Sequence, residues 1–279
     1  MTVHYEERGH VALITIDRPE RRGAMNLQSY LELADGWRKA AAHPEIRAVV
    51  ITGVGDSYCA GADLKEFIPE VAAEAKARAE SGEGPQAAQD GGGMAQASSD
   101  LTLAVLRGID YPKPIIAAVN GPCVASGMEM LLGTDLRIAS PDAVFGLPEV
   151  KRGLFASGGS TVRLPRQIPY VHAMDLLLTG RYISAEEALQ FGLINRIVEK
   201  PMLVETAMEI ANAIAANSPG AVSATKLSVL DNFKTGIMEA YARELEHGDT
   251  VFSAPDAVEG PRAFLEKREP RWTGVASAL

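Results

Sequence analysis

Glu129 and Glu149 are the residues of this chain best placed to do chemistry, because each follows a turn built of glycine, proline and small residues. The first closes Gly121-Pro-Cys-Val-Ala-Ser-Gly-Met-Glu129 and the second closes Phe145-Gly-Leu-Pro-Glu149. Two carboxylates in one pocket can activate a water and deliver a proton, which is what adding water across a polarised double bond requires. Glu129 is flanked by Met128, Met130, Leu131 and Leu132, and an unpaired carboxylate among such neighbours is costly to bury, which points to function. Glu149, taken alone, reads as a solvated turn carboxylate.

Turns of this kind need strands and helices to hold them. Val11-Ala-Leu-Ile-Thr-Ile16 and Ala48-Val-Val-Ile-Thr52 are short β-rich runs, and Leu27 to Ala42 between them carries apolar residues at helical spacing, so a β-β-α-β opening is expected. Ile115-Ile-Ala-Ala-Val119 reads as a buried strand, left through Asn120-Gly121-Pro122. Gly127 to Leu132 suits a short buried helix, and Leu136-Arg-Ile-Ala139 another strand. Strands alternating with helices imply an α/β fold whose sheet is covered on both faces. Ser184-Ala-Glu-Glu187 has the pattern of a capping box, with Gly192 closing the helix. Beyond Val198 the pattern is helical over about Met202 to Asn217, Ala221 to Leu230 and Lys234 to Phe252, with breaks at Asn217-Ser-Pro-Gly220 and Ser253-Ala-Pro-Asp256.

Between about residues 70 and 99 the composition shifts to Ala, Gly, Gln, Glu and Ser. Its Ala/Glu/Lys portion is compatible with helix, while the glycine-rich remainder has too little apolar surface to order itself and is expected to be an inserted mobile loop.

The 279 residues suggest one large α/β domain with an appendage. Hydrophobic content of 47% with 23% charged residues is ordinary for a soluble globular enzyme. The net charge of −9, from 27 basic and 36 acidic residues, argues against nucleic-acid binding, so an anionic ligand would need locally placed lysines and arginines. Cys59 and Cys123 have no metal-like or redox spacing and read as reduced, buried thiols. The polar N-terminus and the absence of any long apolar run point to a cytoplasmic protein without a membrane span, and five scattered histidines form no metal cluster.

Several stretches resemble the enoyl-CoA hydratase/isomerase (crotonase) family. They are Tyr58-Cys-Ala-Gly-Ala-Asp-Leu-Lys65, Lys113-Pro-Ile-Ile-Ala-Ala-Val-Asn-Gly121, Ser126-Gly-Met-Glu129, Phe145-Gly-Leu-Pro-Glu149, Gly158-Gly-Ser-Thr-Val-Arg-Leu164, Leu178 to Ile194, and Glu259 to Lys267. They occur in the family's order from about Arg18 to about Pro270. The resemblance implies a crotonase-like ββα spiral core over residues 1–200, interrupted by the insertion at about 70–99, and a helical C-terminal region over 201–279 that forms a homotrimer or a dimer of trimers. It implies that Glu129 and Glu149 meet, Glu129 deprotonating the water that attacks the β-carbon and Glu149 protonating the α-carbon. The backbone N–H groups of Ala62 and Ser126 would hold the thioester oxygen, which needs small residues because the substrate must approach main chain closely. Coenzyme A, as part of an acyl-CoA substrate, would lie against Arg22, Ala24, Ala60, Asp63 and Leu64, with Phe264 and Lys267 reaching a neighbouring subunit's nucleotide. Each basic residue reads equally as a solvated surface charge, and Asp63 equally as the cap of a helix beginning at Leu64. No separate cofactor and no metal are expected.

Three departures from the family pattern stand out. The usual Gly-Gly-Gly-Cys-Glu is here Ala125-Ser-Gly-Met-Glu129, which keeps the oxyanion role if Ser126 has a negative φ but narrows the passage. The Asn that usually precedes Ala-x-Asn is Gly23, and the proline usual in the loop after Glu149 gives way to Phe155-Ala-Ser157, which suits a different or larger acyl group. Both glutamates together favour a hydratase making a 3-hydroxyacyl-CoA from a trans-2-enoyl-CoA. The alternatives are a Δ3,Δ2-enoyl-CoA isomerase, a hydratase of a bulky (for example steroid-derived) acyl-CoA, and a non-catalytic acyl-CoA-binding protein.

Overall fold

Runs of β-branched and small apolar residues become strands here because both of their faces find a cover. The structure is a computed structural model, and it describes residues 1–81 and 99–275. In chain order the strands are β1 (Val3–Arg8), β2 (Val11–Ile16), β3 (Ala48–Gly53), β4 (Ile115–Val119), β5 (Cys123–Val124), β6 (Leu136–Ala139), β7 (Val144–Gly146), β8 (Tyr182–Ser184) and β9 (Arg196–Ile197). The helices are α1 (Leu27–Ala42), α2 (Ile68–Ser81), α3 (Ser126–Leu131), α4 (Ser160–Gln167), α5 (Tyr170–Thr179), α6 (Ala185–Gln190), α7 (Leu203–Ala215), α8 (Pro219–Asn232), α9 (Ile237–Phe252) and α10 (Asp256–Glu266).

A large sheet runs β1-β2-β3-β4-β6-β9, with β1 antiparallel to β2 and the remaining pairs parallel. A small sheet runs β5-β7-β8, and single bridges extend the same arrangement through Cys59–Cys123 and Met25–Ala62. Each successive turn of chain therefore gives one strand to the large sheet and one strand or bridge to the small one. This is the expected ββα spiral, and it brings the segments after β3, β4 and β6 side by side.

The period-2 alternation of strands divides the core. Val50, Ile116, Ala118 and Ile138 turn to one face, where Leu203, Ala207, Ala211 and Ala215 of α7 cover them at four-residue spacing. Val49, Ile51, Ile115, Ala117 and Val119 turn to the other face, packed with α1 and α3. Because α7 closes the large sheet, core packing continues past residue 200.

Helix α1 begins at Asn26, whose Oδ1 accepts from Ser29 N at 3.1 Å. It ends on Lys113, whose buried ammonium donates to the carbonyls of Ala40 and His43, both at 2.7 Å. Trp37 on its inner face donates from Nε1 to Ala104 O at 3.1 Å, and Tyr111 donates to Trp37 O at 2.8 Å, so the chain after residue 99 is fastened to α1.

The Ser184–Glu187 capping box and the short helix before Leu132 are present as expected. Elsewhere the structure redraws expectations. Residues 64–67 form a turn and helix starts at Ile68, because the Asp63 carboxylate ties down Lys65 N and Glu66 N in that turn. The break expected at 217–220 does fall between α7 and α8, but Pro219 and Gly220 already belong to α8, since Ser218 caps it and proline fits a first turn. The helix expected from Lys234 begins at Ile237. Helix α10 was not anticipated. The Ala/Glu/Lys part of the expected insertion is α2, whereas 82–98 lie outside the described residues. Both cysteines are free and buried. Among the described residues no helix is long and apolar enough to cross a membrane.

Candidate active site

The segments 60–72, 101–107, 124–129 and 148–158, with Tyr30 of α1 and Tyr182, line a cavity of about 560 Å³. Ala62, Ser126, Glu129 and Glu149 all line it.

The segment before Ala62 is set by Gly61, whose φ of +98° an L-residue with a side chain adopts only under strain. A Cβ on Gly61 would stand 2.7 Å from Ala125 Cβ and 3.4 Å from Ser126 N, so the turns at 60–63 and 124–127 press directly on one another. Around it, Ala60 N donates to Arg22 O (3.0 Å), Met25 N to Gly61 O (2.8 Å) and Asp63 N to Met25 O (2.8 Å). Among the described residues the N–H of Ala62 has no acceptor. Neither has that of Ser126, the first residue of α3, where helix geometry leaves N–H groups unpaired. Two adjacent free donors thus line one cavity.

The departure at 125–127 keeps the condition set for Ser126, a negative φ, and the strain falls on Ala125. Ser126 is helical, while Ala125 carries the positive φ (50°, with ψ −122°) that turns β5 into α3. A non-glycine residue there costs of order 1–3 kcal/mol.

Glu129 sits on the first turn of α3, and its Oε1 accepts from Gly158 N at 2.5 Å. Burial pushes its carboxyl up to about 7; the Gly158 N–H, the Ser126 hydroxyl and the Arg107 charge pull it down, and the Glu149 charge raises it further. Glu149 follows Pro148 in a 3-10 turn after β7. Its carboxyl is also raised, again by burial, with Arg152 opposing. Its Oε2 is buried without a hydrogen-bond partner, so only a bound molecule can satisfy it. The paired carboxylates and paired donors can polarise a carbonyl while moving two protons nearby.

Of the positions expected to hold coenzyme A, Ala60 and Leu64 line the cavity. Arg22, in a left-handed conformation, and Ala24 lie on the adjoining turn, which the Ala60 and Met25 bonds hold beside it. Asp63 points elsewhere: beyond capping its turn, it meets Arg18 Nη1 at 3.4 Å. Phe264, 82% exposed, and Lys267, left-handed at the end of α10, are not among the residues lining the cavity.

Sequence reading missed Tyr30, Phe67, Val105 and Arg107, all in the cavity wall. Tyr30 falls within the helical pattern of Leu27 to Ala42, and no spacing rule could show that α1 and the residues around 101–107 face Glu129. The loop after Glu149 does line the cavity, through Leu154, Phe155, Ser157 and Gly158.

A profile of the family described as Enoyl-CoA hydratase/isomerase matches residues 6–275. The chain is 41% identical over 267 residues to "Enoyl-CoA hydratase EchA19" of Mycobacterium tuberculosis, covering 96% of this chain and 94% of that protein. It is 35% identical over 274 residues to "Mevalonyl-coenzyme A hydratase sidH" of Aspergillus fumigatus, covering 94% and 91%. A crystal structure of enoyl-CoA hydratase from Mycobacterium tuberculosis superposes with a TM-score of 0.82 at 38% identity, covering 98% of this chain and 99% of that one.

Proposed function

Since this chain belongs to the enoyl-CoA hydratase/isomerase family, we propose that it is a hydro-lyase that reversibly adds water across the double bond of a trans-2-enoyl-CoA to give a 3-hydroxyacyl-CoA. The observation that carries this reading is the pair Glu129 and Glu149 in one cavity with the free N–H groups of Ala62 and Ser126.

The two N–H groups receive the thioester oxygen and stabilise the negative charge that reaches it as water attacks. A new C–O bond forms at the β-carbon, the π pair moves toward the α-carbon and thioester, Glu129 takes the proton of the water, and Glu149 supplies a proton to the α-carbon. One proton is thus shared by the pair at the start and at the end. An acyl chain covering Glu149 favours that proton on Glu149, whose Oε2 has no donor, while Glu129 keeps the Gly158 N–H.

The turn at 22–25 and the segment 60–64 form the proposed coenzyme A cradle. The cavity's size lies in the range that encloses a drug-sized ligand, and Phe67, Ile68, Val71, Leu101, Val105 and Leu154 make its wall largely apolar. These features favour a long or ring-bearing acyl group over a short one. The exposed apolar residues of α9 and α10 are assigned to assembly of a trimer or a dimer of trimers.

Incubation with crotonyl-CoA and with a longer trans-2-enoyl-CoA in ¹⁸O-water tests the activity. Loss of enone absorbance with ¹⁸O in a 3-hydroxyacyl product is expected, faster for the longer chain. A shifted double bond without solvent oxygen would make it an isomerase. Binding without turnover would make it a binding protein.

A further inference from the structure

Arg107 brings a positive charge to the cavity wall, and the backbone that carries it is built with strain. The short helix ending at residue 104 is closed by two bonds, Leu106 N to Leu103 O and Arg107 N to Thr102 O, both at 2.8 Å. This closure needs a left-handed residue just past the helix, a place that usually falls to glycine. Here it is Leu106, with φ of 55° and 1% exposed. Gly133 leaves the room for it, since a Cβ there would stand 2.7 Å from Leu106 Cβ. Arg163 then holds the turn, donating from Nη1 to Val105 O at 3.2 Å and from Nη2 to Leu106 O. A strained turn persists only where its surroundings fix it, and this one delivers residue 107 to the cavity.

The stem of Arg107 lies along Gly159, where an added Cβ would be 3.7 Å from Arg107 Cγ. Among the described residues its guanidinium makes no hydrogen bond or ion pair, although Glu129 senses its charge. Arg152, the other arginine in the wall, donates from Nη1 to Pro148 O at 3.1 Å and so belongs to its own turn. These two arginines with Glu129 and Glu149 are the charged residues lining the cavity. With one proton shared by the glutamates, the lining keeps one net positive charge. Arg107 is exposed, so solvent compensates it in the free protein. An acyl chain filling the cavity displaces that solvent, and a hydrocarbon end would leave the guanidinium facing methyl groups.

Resting on the hydratase reading, we propose that Arg107 determines acyl specificity and that the acyl group it selects ends in a carboxylate, the substrate being a coenzyme A monothioester of an unsaturated dicarboxylic acid. A guanidinium offers two parallel donors that a carboxylate matches with both oxygens, and a methyl end offers nothing in return. Phe67, Ile68, Val71, Leu101 and Val105 suit the methylene run, while Arg107 takes its end.

The test compares hydration of a methyl-ended trans-2-enoyl-CoA with that of its carboxylate-ended counterpart of equal length, over a series of lengths. At the best length the wild type should favour the carboxylate by about 10–10²-fold in kcat/KM, mostly through KM, as expected for a hydrogen-bonded charge pair. Arg107→Gln, which breaks no bond among the described residues, should abolish that ratio, and Arg107→Lys should keep part of it. A wild type indifferent to the two ends, or one that prefers a neutral ketone or hydroxyl end, would overturn the proposal. So would an equal loss on both substrates in Arg107→Gln, which would make Arg107 a partner of Glu129 or of the coenzyme. Calorimetry with the two saturated thioesters separates this from the hydratase reading. A wild type that hydrates neither substrate, yet binds the carboxylate-ended thioester at least about tenfold tighter and only with Arg107 present, upholds the specificity and overturns the hydratase reading alone.

Discussion

The N–H of Gly158 donates to Glu129 Oε1 at 2.5 Å, and a Cβ at Gly158 would stand 2.5 Å from Glu129 Cδ. The same residue thus holds the carboxylate and leaves the space it occupies. Gly158→Ala should push that carboxylate aside by about 1 Å and lower turnover about 10²-fold, with little change in acyl-CoA affinity. Steady-state kinetics and a binding isotherm check it; full activity would mean that Glu129 needs no anchor.

Glu129 is predicted to be an expensive residue at alkaline pH. Its folded-state carboxyl is raised to about 7 from the ordinary 4.5. A raised carboxyl contributes stability below its unfolded value and loses it as pH climbs through the folded one. At pH 8, Glu129→Gln should therefore unfold at higher denaturant, by about 2 kcal/mol, with the gain fading toward pH 4. The same change should cost about 10²–10⁴-fold in turnover. Equal stability at both pH values would show that Glu129 ionises freely.

The pair needs one proton between its members, so kcat/KM should trace a bell. The alkaline limb, where the pair loses its last proton, is expected near 7, and the acid limb, where the pair takes up a second proton, above the ordinary carboxylate range. Glu149→Gln should remove the alkaline limb from whatever rate survives, leaving a rate that rises as Glu129 ionises. A rate flat from pH 5 to 9 would separate proton transfer from these two residues.

Ala125 carries a strained φ of 50° where glycine would be relaxed. Ala125→Gly relieves about 1–3 kcal/mol of strain, offset by about 1 kcal/mol of unfolded-state entropy, Ala125 being only half-buried. Stability should hold or rise by up to about 2 kcal/mol, with turnover within about twofold, by thermal melting and assay. A loss above 1 kcal/mol would place the strain elsewhere.

Helix α9 has no buried residue, and Ile237, Met238, Tyr241, Leu245 and Phe252 stand exposed along it. Replacing Leu245 and Phe252 with glutamate should reduce a trimeric or hexameric wild type to single chains in light scattering, leaving the fold intact by circular dichroism. A wild type that already runs as a single chain would end the assembly assignment.

What was legible in the sequence was local or carried by pattern: the strands read as Val11–Ile16 and Ile115–Val119, the Ser184 capping box, and the family motifs that marked Ala62, Ser126, Glu129 and Glu149. Each rests on interactions a few residues long, or on an ordered set of short motifs, and both survive without coordinates. The C-terminal helices were less well bounded, because Ser218 and Pro219 serve equally to stop one helix and to start the next.

Only the tertiary structure decided what faces Glu129. Tyr30, Arg107 and Gly158 come from parts of the chain that no periodicity relates to residue 129, and the spiral brings them together by stacking segments after successive strands. It also put the strain at Ala125, turned Asp63 onto its own turn, and left Glu149 Oε2 buried and unpaired. Residue types determine which chemistry is possible, but burial and the aim of donors determine which groups carry a proton, and those are set by long-range packing.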